Sequence, residues 1–130
     1  MLDLDFFKRI NDTYDHSTGD DILKAFAEIA RTNSRIIDVP ARLGGEEFAI
    51  LLIGANKNDA LVMAERLRKQ VAGIVIEHKL GLVRTTVSIG AAFILANDNA
   101  KAVLHRADIA LYEAKDKGRN QTCWFVTDLN

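Results

Sequence analysis

Apolar residues recur along this chain with a helical period in three places. Ile22, Phe26, Ile29 and Ala30 are spaced by one, three and four; Leu61, Ala64, Leu67 and Val71 by three and four; and Val103, Ala107, Ala110, Leu111 and Ala114 fall on one stripe in the same way. The pattern predicts helices from near Gly19-Asp20-Asp21 to Asn33-Ser34, from about Ala60 to Val71, and from about Ala100 to Lys117, the last stopped by Gly118. Asp20 and Asp21 read as first-turn acids that suit a helix dipole. A short helical turn at 6–12, closed by Asn11-Asp12, precedes them.

Between these segments the period changes. Val39 to Leu43 reads as a strand whose donor side is not fully paired, because Pro40 has no N–H to give. Phe48 to Ile53 is apolar throughout, as a central strand covered on both faces would be. Thr85 to Ile94 is rich in β-formers, with Gly90 placed where another backbone approaches closely, and Cys123 to Val126 makes a last short strand. Residues 74–80 are β-branched but irregular. Met1 to Asp5 resembles the end of a strand already under way, so the natural beginning is expected further upstream. The order of elements predicts an α/β (α+β) fold, a central mixed sheet covered by helices, as a single domain over 1–130 with no repeat or linker.

Composition narrows the function. A chain of 130 residues has room for one core. Its 17 basic and 18 acidic residues leave a net charge of −1, which disfavours a nucleic-acid partner held through its phosphates. Any polyphosphate site must come from a local cluster of Lys and Arg. Cys123 is the one cysteine, so no intrachain disulfide forms and a cysteine-based zinc site is excluded. No apolar run approaches membrane-spanning length and there is no signal-peptide layout. The expectation is a cytoplasmic segment with no membrane contact of its own, compatible with a membrane-anchored parent.

The chemistry centres on Gly44-Gly45-Glu46-Glu47-Phe48. Paired glycines tolerate positive φ and let a phosphate approach the backbone. The paired acids crowd negative charge where a plain hairpin would carry Asn-Gly or Asp-Gly. A bound cation and a phosphorylated ligand explain both features. Asp3 and Glu46 are the candidate ligands, since hard oxygen donors suit Mg²⁺, which takes one or two carboxylates plus substrate phosphates and water. Asp5 stays open between that role and a solvated terminal acid. Lys115 and Arg119, four apart around Gly118, can share a face or a helix end; singly, such bases more often offset a helix dipole.

Five blocks in order resemble the GGDEF domain, the catalytic domain of bacterial diguanylate cyclases. They are Asp3-Leu4-Asp5-Phe6-Phe7-Lys8, Ile10-Asn11-Asp12-Thr13-Tyr14, Gly19-Asp20, Ala41 through Phe48, and Ala107-Asp108 through Leu111-Tyr112-Glu113-Ala114-Lys115 to Gly118-Arg119-Asn120. The resemblance implies a mainly antiparallel sheet of the nucleotidyl cyclase and polymerase palm type. It implies Mg²⁺ (Mn²⁺ as a substitute) at Asp3, Glu46 and the Leu4 carbonyl, with Glu46 and Glu47 as catalytic acids. It implies GTP held by Lys8, Gly44, Gly45, Lys115 and Arg119, and guanine read by Asn11 and Asp20. An amide offers donor and acceptor, and a carboxylate accepts from ring N–H and amine. Both residues also suit plain helix-end roles.

In the same family an Arg-x-x-Asp just upstream of the turn is the inhibitory site for the product, cyclic di-GMP. Here that site is Arg35 and Asp38, with Arg66 as the second arginine. The resemblance further implies a homodimer for catalysis and a sensor domain in the parent chain. The alternative is a module that binds cyclic di-GMP or GTP without turnover. His16 matches a structural family histidine, and neither His78 nor His105 is expected in catalysis or metal binding. Cys123 and Trp124 are expected in the core. Two departures stand out: position 15 is Asp where the family commonly has Gly, and Asp can enter the left-handed region, which is compatible with the same turn; and the upstream helix with its Asp-x-Leu-Thr-x-Leu-x-Asn-Arg block is missing. Glu at position 46 in place of Asp is a common family variant.

Overall fold

A computed structural model describes residues 1–126. The main sheet has five strands: β1 (Leu2–Leu4), β2 (Val39–Gly44), β3 (Glu47–Leu51), β6 (Val87–Ala91) and β7 (Thr122–Trp124), in the spatial order β2-β3-β1-β6-β7. A separate hairpin is formed by β4 (Ile76–His78) and β5 (Gly81–Val83). All pairings in the main sheet are antiparallel except β6 with β7. The sheet is therefore mixed and mainly antiparallel, as expected. The helices are α1 (Phe7–Thr13), α2 (His16–Asn33), α3 (Lys57–Ala72) and α4 (Ala100–Asp116).

A strand of only three residues holds the centre. β1 pairs with β3 on one side and β6 on the other, and Leu2, Asp3 and Leu4 are all buried. Around it Ile22 and Phe26 of α2, Leu67 and Val71 of α3, and Val83, Val87 and Ile89 form one apolar cluster. The Phe26 and Phe48 rings stack tilted at 47°, with centroids 4.4 Å apart. Removing an aromatic ring from such a site costs about 3–5 kcal/mol. Gly90 fulfils its expectation, since a Cβ there would sit 2.2 Å from the Ala107 carbonyl oxygen and from the Leu111 nitrogen. Only a glycine lets α4 settle so closely on β6.

Several boundaries differ from the periodicity. α2 starts at His16, three residues before the expected Gly19, because the Asp15 side chain accepts the Thr18 N–H at 2.7 Å and caps it there. Asp15 itself is extended (φ −175°), not left-handed. Asn56 caps α3 in the same manner, moving its start to Lys57. β3 ends at Leu51, and Leu51 and Ile53 are exposed, so this strand is not covered on both faces. An apolar cavity of about 450 Å³ lies there, with Met1, Leu51, Met63, Leu104 and Trp124 in its lining. Pro40 lies on the edge strand β2, where a missing donor costs nothing. Cys123 is buried as expected, whereas Trp124 is only partly so.

Candidate active site

The carbonyl-side end of β1 organises the site. Antiparallel pairing sets Asp3 opposite Glu47, and the Leu4 N–H donates to the Glu46 carbonyl at 3.3 Å. The turn between β2 and β3 thus folds over Asp3. A bulge between Arg42 and Gly44 starts that turn, with Gly44 and Gly45 at φ 152° and 52°. Both glycines adopt backbone angles that an L side chain resists. Arg42 closes the turn by donating through Nε and Nη2 to the Gly45 carbonyl at 2.9 and 2.7 Å. Its place in the motif block was legible, its clamping role was not.

Asp3 is the buried member of this acidic group. Burial raises its carboxyl above the usual range; the Lys115 ammonium works against that, while Glu46 and Glu47 add to the rise. Lys115 Nζ donates to Asp3 Oδ2 at 2.7 Å, joining positions 112 residues apart. Among the described residues no three His, Cys, Asp or Glu side chains close on a point that would hold a metal by themselves. An all-protein cage is not what Mg²⁺ asks for. A buried oxygen donor beside a second carboxylate, balanced for now by a lysine, fits a Mg²⁺ ion that shares substrate oxygens.

Asp5 is not a solvated terminal acid. It is buried, and its carboxylate accepts from Ser88 Oγ at 2.7 Å, Thr86 Oγ1 at 2.6 Å and the Asn120 N–H at 3.1 Å. These bonds tie the turn after α4 to the end of β1. That turn carries Gly118 at φ 114° and Arg119 at φ 64°, and the Arg119 N–H closes α4 on the Ala114 carbonyl. The Arg119 guanidinium lies 4.7 Å from the centre of the Phe6 ring, and the Arg9 guanidinium 4.6 Å from it. Phe6 is in the left-handed region (φ 57°) and half-exposed, so its ring stands out as a platform. Nothing in the sequence pattern singled Phe6 out. Lys8 is exposed on α1 and has no ion-pair partner among the described residues.

Asn11 and Asp20 lie on adjoining helices. Asn11 Oδ1 is buried without a hydrogen-bond partner, and it fills the space that a Cβ on Gly19 would take, 1.9 Å away. Asp20, the next residue, is exposed. Further along, Arg35 and Asp38 hold each other: Nη2 to Oδ1 at 2.8 Å and Nε to Oδ2 at 3.1 Å, with Nη2 also on the Ile53 carbonyl at 2.6 Å. Asp38 is buried and its carboxyl is held below the usual range, first by Arg35. Arg66 donates to Asn33 at 2.6 Å, which draws it to the same end of α2. His16 and His105 are exposed.

The chain matches the family described as "Diguanylate cyclase, GGDEF domain" over residues 1–121. It is a GGDEF domain. It is 43% identical over 122 residues to diguanylate cyclase A of Treponema denticola, covering 93% of this chain and 33% of that protein. To the response regulator PleD of Caulobacter vibrioides it is 42% identical over 123 residues, covering 92% and 27%. The chain thus spans about a third or less of these curated relatives. Among solved structures, the GGDEF domain of DgcB from Caulobacter crescentus in complex with c-di-GMP superposes with a TM-score of 0.89 at 32% identity, over 95% of this chain and 74% of that one. Diguanylate cyclase SiaD of Pseudomonas aeruginosa, in complex with its activator SiaC, gives 0.90 at 34%, over 95% and 47%. No helix of the GGDEF domain is long and apolar enough, among the described residues, to cross a membrane.

Proposed function

We propose that this GGDEF domain condenses two GTP molecules into cyclic di-GMP and two pyrophosphates, each of two copies holding one GTP. The observation that carries the reading is the Lys115–Asp3 contact. It brings a buried acid and a helix-end lysine together at one end of β1. The named diguanylate cyclases among the relatives support the reaction class.

In this reading Lys115, Arg119 and Lys8 bind the triphosphate, and the open backbone of Gly44 and Gly45 lets it pass close to the turn. Asn11 and Asp20 take the guanine edge, an amide and a carboxylate offering the donor and acceptors that guanine needs. Asp3, Glu46 and the Leu4 carbonyl would hold Mg²⁺, which when bound supplies charge neutralisation for the phosphates and acidifies a nearby hydroxyl. The 3′-hydroxyl of one GTP attacks the α-phosphorus of the other. A new P–O bond forms as the bond to pyrophosphate breaks, and Glu46 or Glu47 receives the hydroxyl proton. Most of the acceleration comes from alignment and charge placement. Arg35, with Asp38 and Arg66, serves as the docking point for product, and Arg35 is half-exposed where a phosphate or guanine edge can reach it.

The test is product analysis after incubation with GTP and Mg²⁺. Cyclic di-GMP that disappears in Glu46→Ala and in Glu47→Ala supports catalysis. A chain that makes none, yet binds cyclic di-GMP in an Arg35-dependent way, is an effector module instead.

A further inference from the structure

The Asp15 carboxylate has two jobs, one on each oxygen. Oδ1 accepts the Thr18 N–H at 2.7 Å and fixes the first turn of α2, while Oδ2 faces His78 Nε2 at 3.2 Å. His78 belongs to β4, in the hairpin that stands apart from the main sheet. Its other nitrogen, Nδ1, accepts the Leu80 N–H at 3.0 Å. A nitrogen that accepts carries no proton, so in the neutral ring Nε2 is the protonated one and donates to Asp15. The Tyr14 ring meets His78 edge-on at 71°, centroids 5.1 Å apart, and the His78 side chain is only 9% exposed. Hydrogen bonds from Thr18 hold the Asp15 carboxyl below its usual range, with His78 adding to this, so both oxygens remain acceptors.

Tyr14 and Asp15 are the whole connection between α1 and α2. These helices carry Asn11 and Asp20, and the gap between them is tight enough that a Cβ on Gly19 would lie 1.9 Å from Asn11 Oδ1. Any rotation of α2 about its first turn changes the separation of the two base-reading groups. The Asp15–His78 bond, backed by the tyrosine, ties that first turn to the hairpin. We infer that Asp15 and His78 are positioning residues for base recognition: the β4–β5 hairpin latches the α1–α2 turn and sets the spacing at which Asn11 and Asp20 read a purine bearing a 2-amino group. This rests on the base-reading role proposed above for Asn11 and Asp20. With Gly at position 15 neither the cap nor the latch would exist.

The pair GDP and IDP tests it, because they differ only in the 2-amino group. Titration calorimetry on the full chain gives the ratio of their dissociation constants. Asp15→Asn keeps the cap on Thr18 but turns an N–H towards His78 Nε2–H. The ring cannot change tautomer without losing Leu80. The GDP preference should fall roughly threefold or more, beside a fall of a few degrees in melting temperature for the lost hydrogen bond. His78→Gln keeps a donor towards Asp15 and should hold the preference better than His78→Asn, which is too short to reach. If wild type prefers GDP and the preference persists in Asp15→Asn and His78→Asn, or if both nucleotides weaken equally, the latch is structural and the inference fails. If wild type does not prefer GDP, the base-reading assignment falls and the inference with it.

Discussion

Lys115 Nζ lies 2.7 Å from Asp3 Oδ2, so a helix-end base neutralises the buried acid at the heart of the site. In the proposed reaction Lys115 would leave Asp3 for the incoming triphosphate, freeing a carboxylate that could then hold Mg²⁺. Asp3→Asn retains shape and removes a charge whose ionised form is disfavoured by burial. The variant should fold with a melting temperature within a few degrees of wild type and lose Mg²⁺-dependent turnover. Calorimetric Mg²⁺ titration in the presence of GTP, alongside a thermal scan, checks both parts.

Phe6 offers its ring to Arg119 and Arg9 in a left-handed conformation that a phenylalanine resists. In the proposed site this contact would steady Arg119 for the triphosphate. An exposed cation–π contact is worth about 0.5–1 kcal/mol, so Phe6→Ala should raise the KM for GTP by roughly two- to fivefold with kcat little changed. Steady-state kinetics separates the two parameters.

Two glycines make contrasting predictions. At Gly90 an added Cβ meets the backbone of α4, which cannot yield, so Gly90→Ala should cost roughly 3 kcal/mol or more in urea unfolding. At Gly19 the nearest atom is the end of the Asn11 side chain. Gly19→Ala should therefore fold while displacing Asn11, and GDP binding should weaken far more than stability. Comparing unfolding midpoints with GDP titrations distinguishes the cases.

The contrast between these glycines shows what the sequence could and could not tell. Gly90 was legible because a glycine inside a β-rich run signals close approach. The five motif blocks and the apolar stripes of α2, α3 and α4 were legible because each is local. The start of α2 was not: Asp20 and Asp21 mimic first-turn acids, while the side chain that caps the helix is Asp15. The β4–β5 hairpin was missed because Lys79-Leu80 carries none of the usual two-residue turn chemistry, and only Gly81 at φ 135° marks the bend. The burial of Asp5 was illegible for a different reason. Its partners Thr86, Ser88 and Asn120 arrive from 81 to 115 residues away.

Asp38 makes a pH prediction. Its folded carboxyl is depressed, chiefly by Arg35, relative to an unfolded value of about 3.9. Stability from this charge is fully present above the unfolded value and is lost as pH falls through the folded one. The stability gap between wild type and Asp38→Asn should thus be constant near neutrality and shrink below about pH 4. Urea unfolding across a pH series reads it. Arg35→Ala should in addition abolish cyclic di-GMP binding.

The most direct test counts products against chain concentration. With saturating GTP and Mg²⁺, the account predicts one cyclic di-GMP for every two pyrophosphates, and a specific activity that rises with chain concentration because each copy supplies only half of the reacting pair. A specific activity independent of chain concentration would contradict the two-copy site. GTP left intact at high chain concentration would contradict the catalytic reading of this domain.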